Sequence, residues 1–200
     1  MSGSQTNNKS SNLSDIAEHL GKRSIVLVGM MGCGKSSVGR RLAAHIHLPF
    51  ADADDEIERA AGKTIPEIFA DYGEAHFRDR ECRIIKRILE DGPQVIATGG
   101  GAFMRVETRE AIARQGLSIW LKVELQVLIE RVSRRNDRPL LNTADPKLTM
   151  QKLMDERYPV YKLADITVES RSGLQDDVVR DVIRGLNRYL TAETEIKEQS

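Results

Sequence analysis

The chain has 200 residues, 40% of them hydrophobic, with 30 basic and 30 acidic side chains. That size suits one domain with a buried core, and a formal net charge of zero excludes a protein built mainly to grip nucleic acid or an anionic membrane. Cys33 and Cys82 form no CxxC pair, and no apolar run reaches the roughly 18 residues of a membrane span, so the expectation is a reduced, soluble, cytoplasmic protein.

In chain order, residues 1–22 form a polar extension, Ser/Asn/Gln-rich at its start and unlike a secretory signal. It is expected to be mostly flexible, although Leu13, Ile16, Ala17 and Leu20 have the spacing of a short docked helix before Gly21. Strand-like apolar runs follow at Ile25–Val28, Pro49–Asp52, Val95–Thr98, Leu117–Val123 and Ile166–Val168. Helical stripes lie between and after them: Val38, Leu42 and Ile46; Phe77, Ile84, Ile85, Ile88 and Leu89; Leu125, Leu128, Ile129 and Val132; Val179, Val182, Ile183, Leu186 and Leu190. Strands alternating with helices predict an α/β fold with a parallel sheet covered on both faces. Residues 23–190 make the single domain, and 191–200 read as a flexible C-terminal tail.

The first chemical signal is Gly29-Met30-Met31-Gly32-Cys33-Gly34-Lys35-Ser36, which fits G-x-x-x-x-G-K-[ST] between a predicted strand and a predicted helix. Glycines allow the tight turn that aims backbone N–H groups at phosphate oxygens, and the helix N-terminus favours the anion. Lys35 supplies a cation for the β- and γ-phosphates, and the Ser36 hydroxyl suits a Mg²⁺ ion. Cys33 reads either as a reactive thiol or as a small loop residue.

After the second strand comes Asp52-Ala53-Asp54-Asp55-Glu56. If the strand continued, alternation would put Asp52 and Asp54 on one side, where two carboxylates near a phosphate loop can hold hydrated Mg²⁺ and orient an acceptor hydroxyl. The competing reading is a helix cap with acids in the first turn. Arg78 opens a charged helix as a ligand arginine or as a solvated one. Gly99-Gly100-Gly101 makes a loose loop or admits a ligand close to the backbone. Arg131, Arg134, Arg135 and Arg138 precede Pro139, either as a lid over phosphates or as a solvated basic helix end. Trp120 is expected in the core, His45 as a cap and His47 as a packing residue.

Together, G-M-M-G-C-G-K-S, D-A-D, F-R, T-G-G-G, R-P-L-L and E-R-Y-P-x-Y resemble the shikimate kinases over about Ser24 to Leu190. The resemblance implies a P-loop three-layer α/β/α fold, similar to nucleoside monophosphate kinases, with a five-stranded parallel sheet ordered 2-3-1-4-5 and a mobile lid at about 135–146. It also implies transfer of the γ-phosphoryl group of ATP to the 3-hydroxyl of shikimate. By position, Asp54, Lys35 and Arg138 match the catalytic groups. Gly32, Cys33, Gly34, Lys35, Ser36, Ser37, Arg131 and Arg138 match the ATP site. Asp54, Arg78, Gly99, Gly100, Gly101 and Arg157 match the shikimate site, and Ser36 and Asp52 the Mg²⁺ site. Planar guanidinium forks at Arg78 and Arg157 suit a carboxylate. The implied partners are shikimate and ATP, with no nucleic acid or membrane, for a monomer. The rivals are another small-molecule kinase such as a gluconate kinase, a nucleoside monophosphate kinase, and a nucleotide-binding module that transfers nothing.

Overall fold

The computed structural model describes residues 16–133, 145–171 and 173–198. Five parallel strands form one sheet: β1 (Ser24–Val28), β2 (Phe50–Asp52), β3 (Val95–Ala97), β4 (Gly116–Lys122) and β5 (Ile166–Glu169), in the order β2-β3-β1-β4-β5. The sequence reading placed every strand to within one residue at most boundaries, and the expected strand order is the observed one. Burial explains the order. β1 is buried along its whole length and sits in the middle, pairing Ile25 with Val95 on one side and with Leu117 on the other. β5 is an edge strand and alternates buried Ile166 and Val168 with exposed Thr167 and Glu169, as a strand with one solvated face should.

Helices α1 (Lys35–His45), α2 (Ala53–Ala61), α3 (Ile65–Glu90), α4 (Val106–Gln115), α5 (Leu125–Ser133), α6 (Pro146–Tyr161) and α7 (Gln175–Glu198) connect the strands or follow them. α3 starts with a complete capping box from Thr64 and Glu67 and has Pro66 in its first turn. Gly73, at φ 77°, interrupts it, so the segment before Phe77 is a separate helical arm. Ile57, Ile68 and Phe77 form a small core of their own between α2 and α3. This arm stands clear of the main core and walls one side of the cleft described below.

The crossover direction reverses between β1 and β4: β1 leads towards β2 and β4 towards β5. In open α/β sheets the crevice at such a reversal, beyond the strand C-termini, is where ligands bind. Trp120 lies beside it at 2% exposure, with the Tyr158 ring packed edge-on at 4.9 Å.

The termini differ from expectation. Residues 16–20 are helical, and Ile16 and Leu20 are buried in the main core, which fits the docked-helix spacing. Arg23 donates two hydrogen bonds to the Glu193 carboxylate, at 3.1 and 2.8 Å. At the other end α7 continues to Glu198, where a tail from 191 was expected, because Glu193 gives the last turns a partner. His45 Nδ1 donates to the Arg41 carbonyl in the last turn of α1, as a cap would, whereas His47, expected to pack, is exposed at φ 55°. No helix among the described residues is long and apolar enough to cross a membrane.

Candidate active site

Two adjoining cavities open at the C-terminal end of the sheet. The first, about 550 Å³, is lined by the loop between β1 and α1, by α5 and by the start of α7. The second, about 460 Å³, lies between α2, α3, the glycine triplet and α6. They share Met31, Asp54 and Gly100, so Asp54 stands at the junction of two otherwise separate chambers.

The first cavity is built from backbone. Gly32 and Gly34 have φ values of 81° and 102°, a region open to glycine and strained for most side chains. At Gly32 space matters as well, since a Cβ would come within 2.6 Å of Val132. Gly34 caps α1 without any side-chain hydrogen bond, and the first turn holds no acid, so the helix N–H groups and its positive end are left for an anion. Lys35 is 8% exposed, and its Nζ donates to the carbonyls of Gly29 and Met30 at 2.8 and 2.9 Å. Gly32, Gly34, Lys35, Ser36, Ser37 and Arg131 all line this cavity. Cys33 does not. It is fully buried, its N–H is used in a turn to the Met30 carbonyl, and its sulfur lies 3.6 Å from Lys35 Nζ. Cys33 is thus enclosed within the loop, away from the cavity wall.

Arg131 is fixed by three hydrogen bonds, to the Cys33 carbonyl (3.2 Å), Ser170 Oγ (3.1 Å) and the Arg171 carbonyl (2.8 Å). Its guanidinium plane is thereby immobilised beside the phosphate loop. Arg138, and with it nearly all of the segment read as a lid, lies outside the described residues.

The second cavity is built from side chains. Arg78 Nη1 donates to Glu81 Oε2 at 2.8 Å, one turn along α3, and Nη2 donates to Glu74 at 3.1 Å. Arg157 is 8% exposed and donates to the Gly100 carbonyl at 3.2 Å; its Nε–H has no partner among the described residues. Tyr161, its hydroxyl pushed up by burial, donates to the same carbonyl. Burial would lower the affinity of Arg78 for its proton, but Glu81 and Glu74 more than offset that. Glu81 is 1% exposed; burial raises its carboxyl above the usual range, against the pull of Arg78. Its Oε1 has no partner among the described residues.

The triplet glycines line this chamber, Gly99 and Gly101 on one side only and Gly100 at the junction. A Cβ on Gly99 would meet Glu81 Oε1 at 2.3 Å and Asp54 Oδ1 at 3.0 Å. The triplet is therefore packed closely against Glu81, Asp54 and Arg78 rather than a loose loop.

The acids of D-A-D are arranged differently from the strand-alternation reading. β2 ends at Asp52 and α2 begins at Ala53. Asp52 is the helix cap, its Oδ1 accepting from Asp54 N–H at 3.1 Å, and it lines neither cavity. Asp54 reaches the junction from the first helical turn, held there by that cap. Sequence reasoning missed Glu81, Thr98 and Gln175, which also line the cavities. Glu81 had one available signal, an acid three residues after Arg78 on a helix.

A family model described as shikimate kinase matches residues 31–187. The chain belongs to the shikimate kinase family. A shikimate kinase of Bradyrhizobium diazoefficiens is 59% identical over 179 residues, covering 90% of this chain and 86% of the relative. The structure of an Acinetobacter baumannii shikimate kinase in complex with shikimate superposes with a TM-score of 0.80 at 35% identity, covering 84% of this chain and 95% of that one. A gluconokinase from Sinorhizobium meliloti, at 21% identity, TM-score 0.57 and coverage of 90% and 98%, shares the fold alone. Within the shikimate kinase family, the phosphate loop and the arginine-lined chamber belong to one phosphotransferase.

Proposed function

We propose that this shikimate kinase transfers the γ-phosphoryl group of ATP to the 3-hydroxyl of shikimate, giving shikimate 3-phosphate and ADP, in chorismate and aromatic amino-acid biosynthesis. The observation that carries this reading is the junction. A phosphate-binding chamber and a chamber holding two arginines meet at Asp54, Met31 and Gly100. A small anionic alcohol held by Arg78 and Arg157 presents a hydroxyl to Asp54, with the γ-phosphate arriving from the other side.

In that arrangement Asp54 orients the hydroxyl and receives its proton as the new O–P bond forms and the bond to ADP breaks. Lys35, now held against two carbonyls, re-aims its three donors to the β- and γ-phosphates. Arg138 is proposed as a further cation at the transferring group, on a lid at about 135–146 that excludes water. Gly99, Gly100 and Gly101 let the acceptor approach the backbone. Arg131 offers its fixed plane to the adenine.

The donor set fits Mg²⁺. Among the described residues no three His, Cys, Asp or Glu side chains cluster as a metal cage, and Mg²⁺ in kinases is held mostly by phosphates and water with one or two protein oxygens. Ser36 would supply a hydroxyl and Asp52 an outer contact through water; the ion would neutralise phosphate charge. We further propose a cytoplasmic monomer, since one chain supplies every group invoked.

The test is ADP formation from Mg-ATP with shikimate, gluconate, quinate and AMP in parallel. Turnover confined to shikimate is expected. Turnover with another acceptor removes the substrate assignment, and nucleotide binding without acceptor-dependent turnover replaces the kinase with a binding module.

A further inference from the structure

The phosphate loop and the junction fix two points of the nucleotide cavity. Phosphates sit at the N-terminus of α1 and the acceptor lies beyond Asp54, so the base occupies the part of the cavity away from Asp54, among Val127, Glu130, Arg131, Val132, Gly173 and Gln175. Of these, Arg131 donates to three backbone or hydroxyl partners and offers a flat face, but as a donor only it cannot accept from an amine. The valines offer only apolar contact, Gly173 has no side chain, and Glu130 is exposed and accepts from Gln126 Nε2.

Gln175 is different. It is the first residue of α7, and its Oε1 is a buried acceptor with no hydrogen-bond partner among the described residues. The same carboxamide lies over the start of α1: a Cβ on Gly34 would meet Oε1 at 3.2 Å and Nε2 at 3.6 Å. A buried carbonyl left unpaired is costly and calls for an explanation, and one beside a ligand cavity is explained by a ligand donor.

We propose that the Gln175 carboxamide reads the base of the nucleotide, its Oε1 accepting from the exocyclic 6-amino group of adenine. This rests on the cavity being the ATP site. Position 6 is where the purines differ: adenine presents an amine there and guanine an oxo group. A carboxamide can also turn to donate its N–H to a 6-oxo group, so the contact distinguishes adenine from a purine with nothing at position 6 rather than from guanine. Stacking on Arg131 gives affinity without distinguishing purines; Gln175 makes the distinction.

The test is calorimetric titration of the full chain with ADP, GDP and purine riboside diphosphate, which lacks any 6-substituent. In the wild type, ADP binds about tenfold more tightly than the unsubstituted purine. Gln175→Met keeps the bulk and removes the acceptor, and Gln175→Ala removes both. In each folded variant ADP and the unsubstituted purine bind equally, with ADP weakened about tenfold. Two results overturn the proposal: equal binding of both ligands by the wild type, or an equal loss for all three ligands in the variants, which would make Gln175 a packing residue over Gly34. The titration needs no acceptor, so loss of the shikimate assignment would leave it standing, and kinase turnover with unchanged base preference would sink it alone.

Discussion

The two chambers of the active site are made of different materials. The phosphate chamber uses consecutive residues: a strand, a glycine turn and a helix N-terminus, with Lys35 folded back on its own loop at 2.8 and 2.9 Å. The acceptor chamber uses side chains from α2, α3 and α6 and the backbone of the glycine triplet, brought together over long separations, with the buried carboxylate of Glu81 holding Arg78. The first is a device whose phosphate-binding part is local backbone, set by its glycines, its lysine and its serine. The second depends on tertiary packing, so substitutions there should alter acceptor recognition in graded ways.

The sharpest test of this contrast is at the junction. Asp54→Asn keeps the size and the capped turn but removes the proton acceptor; kcat should fall about 10³-fold with little change in either KM. A variant with full turnover would remove Asp54 from the chemistry. Next, Arg157→Lys should raise KM for shikimate about 10- to 100-fold while leaving nucleotide affinity unchanged, because an ammonium cannot reproduce a fork that must also serve the Gly100 carbonyl. An equal loss of nucleotide binding would show that the chambers are not separable.

Gly99→Ala should raise the acceptor KM roughly tenfold, since its Cβ would press on Glu81 at 2.3 Å and on Asp54 at 3.0 Å. Steady-state kinetics with shikimate varied would show it; unchanged kinetics would mean that α3 gives way easily.

Glu81→Gln separates charge from shape. Burial raises the Glu81 carboxyl above its ordinary value of 4.5. The folded state therefore holds this proton more tightly than the unfolded chain. Wild-type stability is full below that value and declines as pH rises from 4.5 through the raised one. The glutamine variant lacks this decline, so urea midpoints across that window should converge or cross; parallel curves would exclude Glu81 as the titrating group. The smallest effect belongs outside the site. Arg23→Ala breaks the pair with Glu193, each side chain less than a third exposed, and should cost about 0.5–1 kcal/mol in denaturant unfolding with activity intact.

Legibility in the sequence followed the same division. The phosphate loop could be read outright, because its function comes from contiguous residues whose order is their geometry. The strands were legible through unbroken apolar runs such as Ile25–Val28, which only a strand covered on both faces would carry. Arg78, the glycine triplet and Arg157 were each ambiguous taken alone, and the family resemblance rather than local pattern made them candidates. Asp52 and Asp54 show why. Strand alternation and helix capping predict different side-chain directions from the same letters, and the choice depends on where β2 stops. It stops at Asp52, where pairing with Ala97 ends. Glu81 and Gln175 were missed because an acid on a charged helix and a glutamine at a helix start look like surface residues until their neighbours are known.

By itself, then, the amino-acid order determined a P-loop α/β domain, its sheet order through resemblance, and the chemistry of phosphate binding. Those depend on local backbone conformation and on apolar periodicity, both written in neighbouring residues. Only the tertiary structure decided that Asp54 stands between two chambers, that Asp52 caps the helix holding it, that Cys33 is sealed inside the loop, and that Glu81 ties Arg78 into a buried wall. It also decided that residues 16–20 and the end of α7 belong to the folded body. Each of these depends on which distant side chain fills a space or answers a hydrogen bond, and such contacts exist only once the chain has closed on itself.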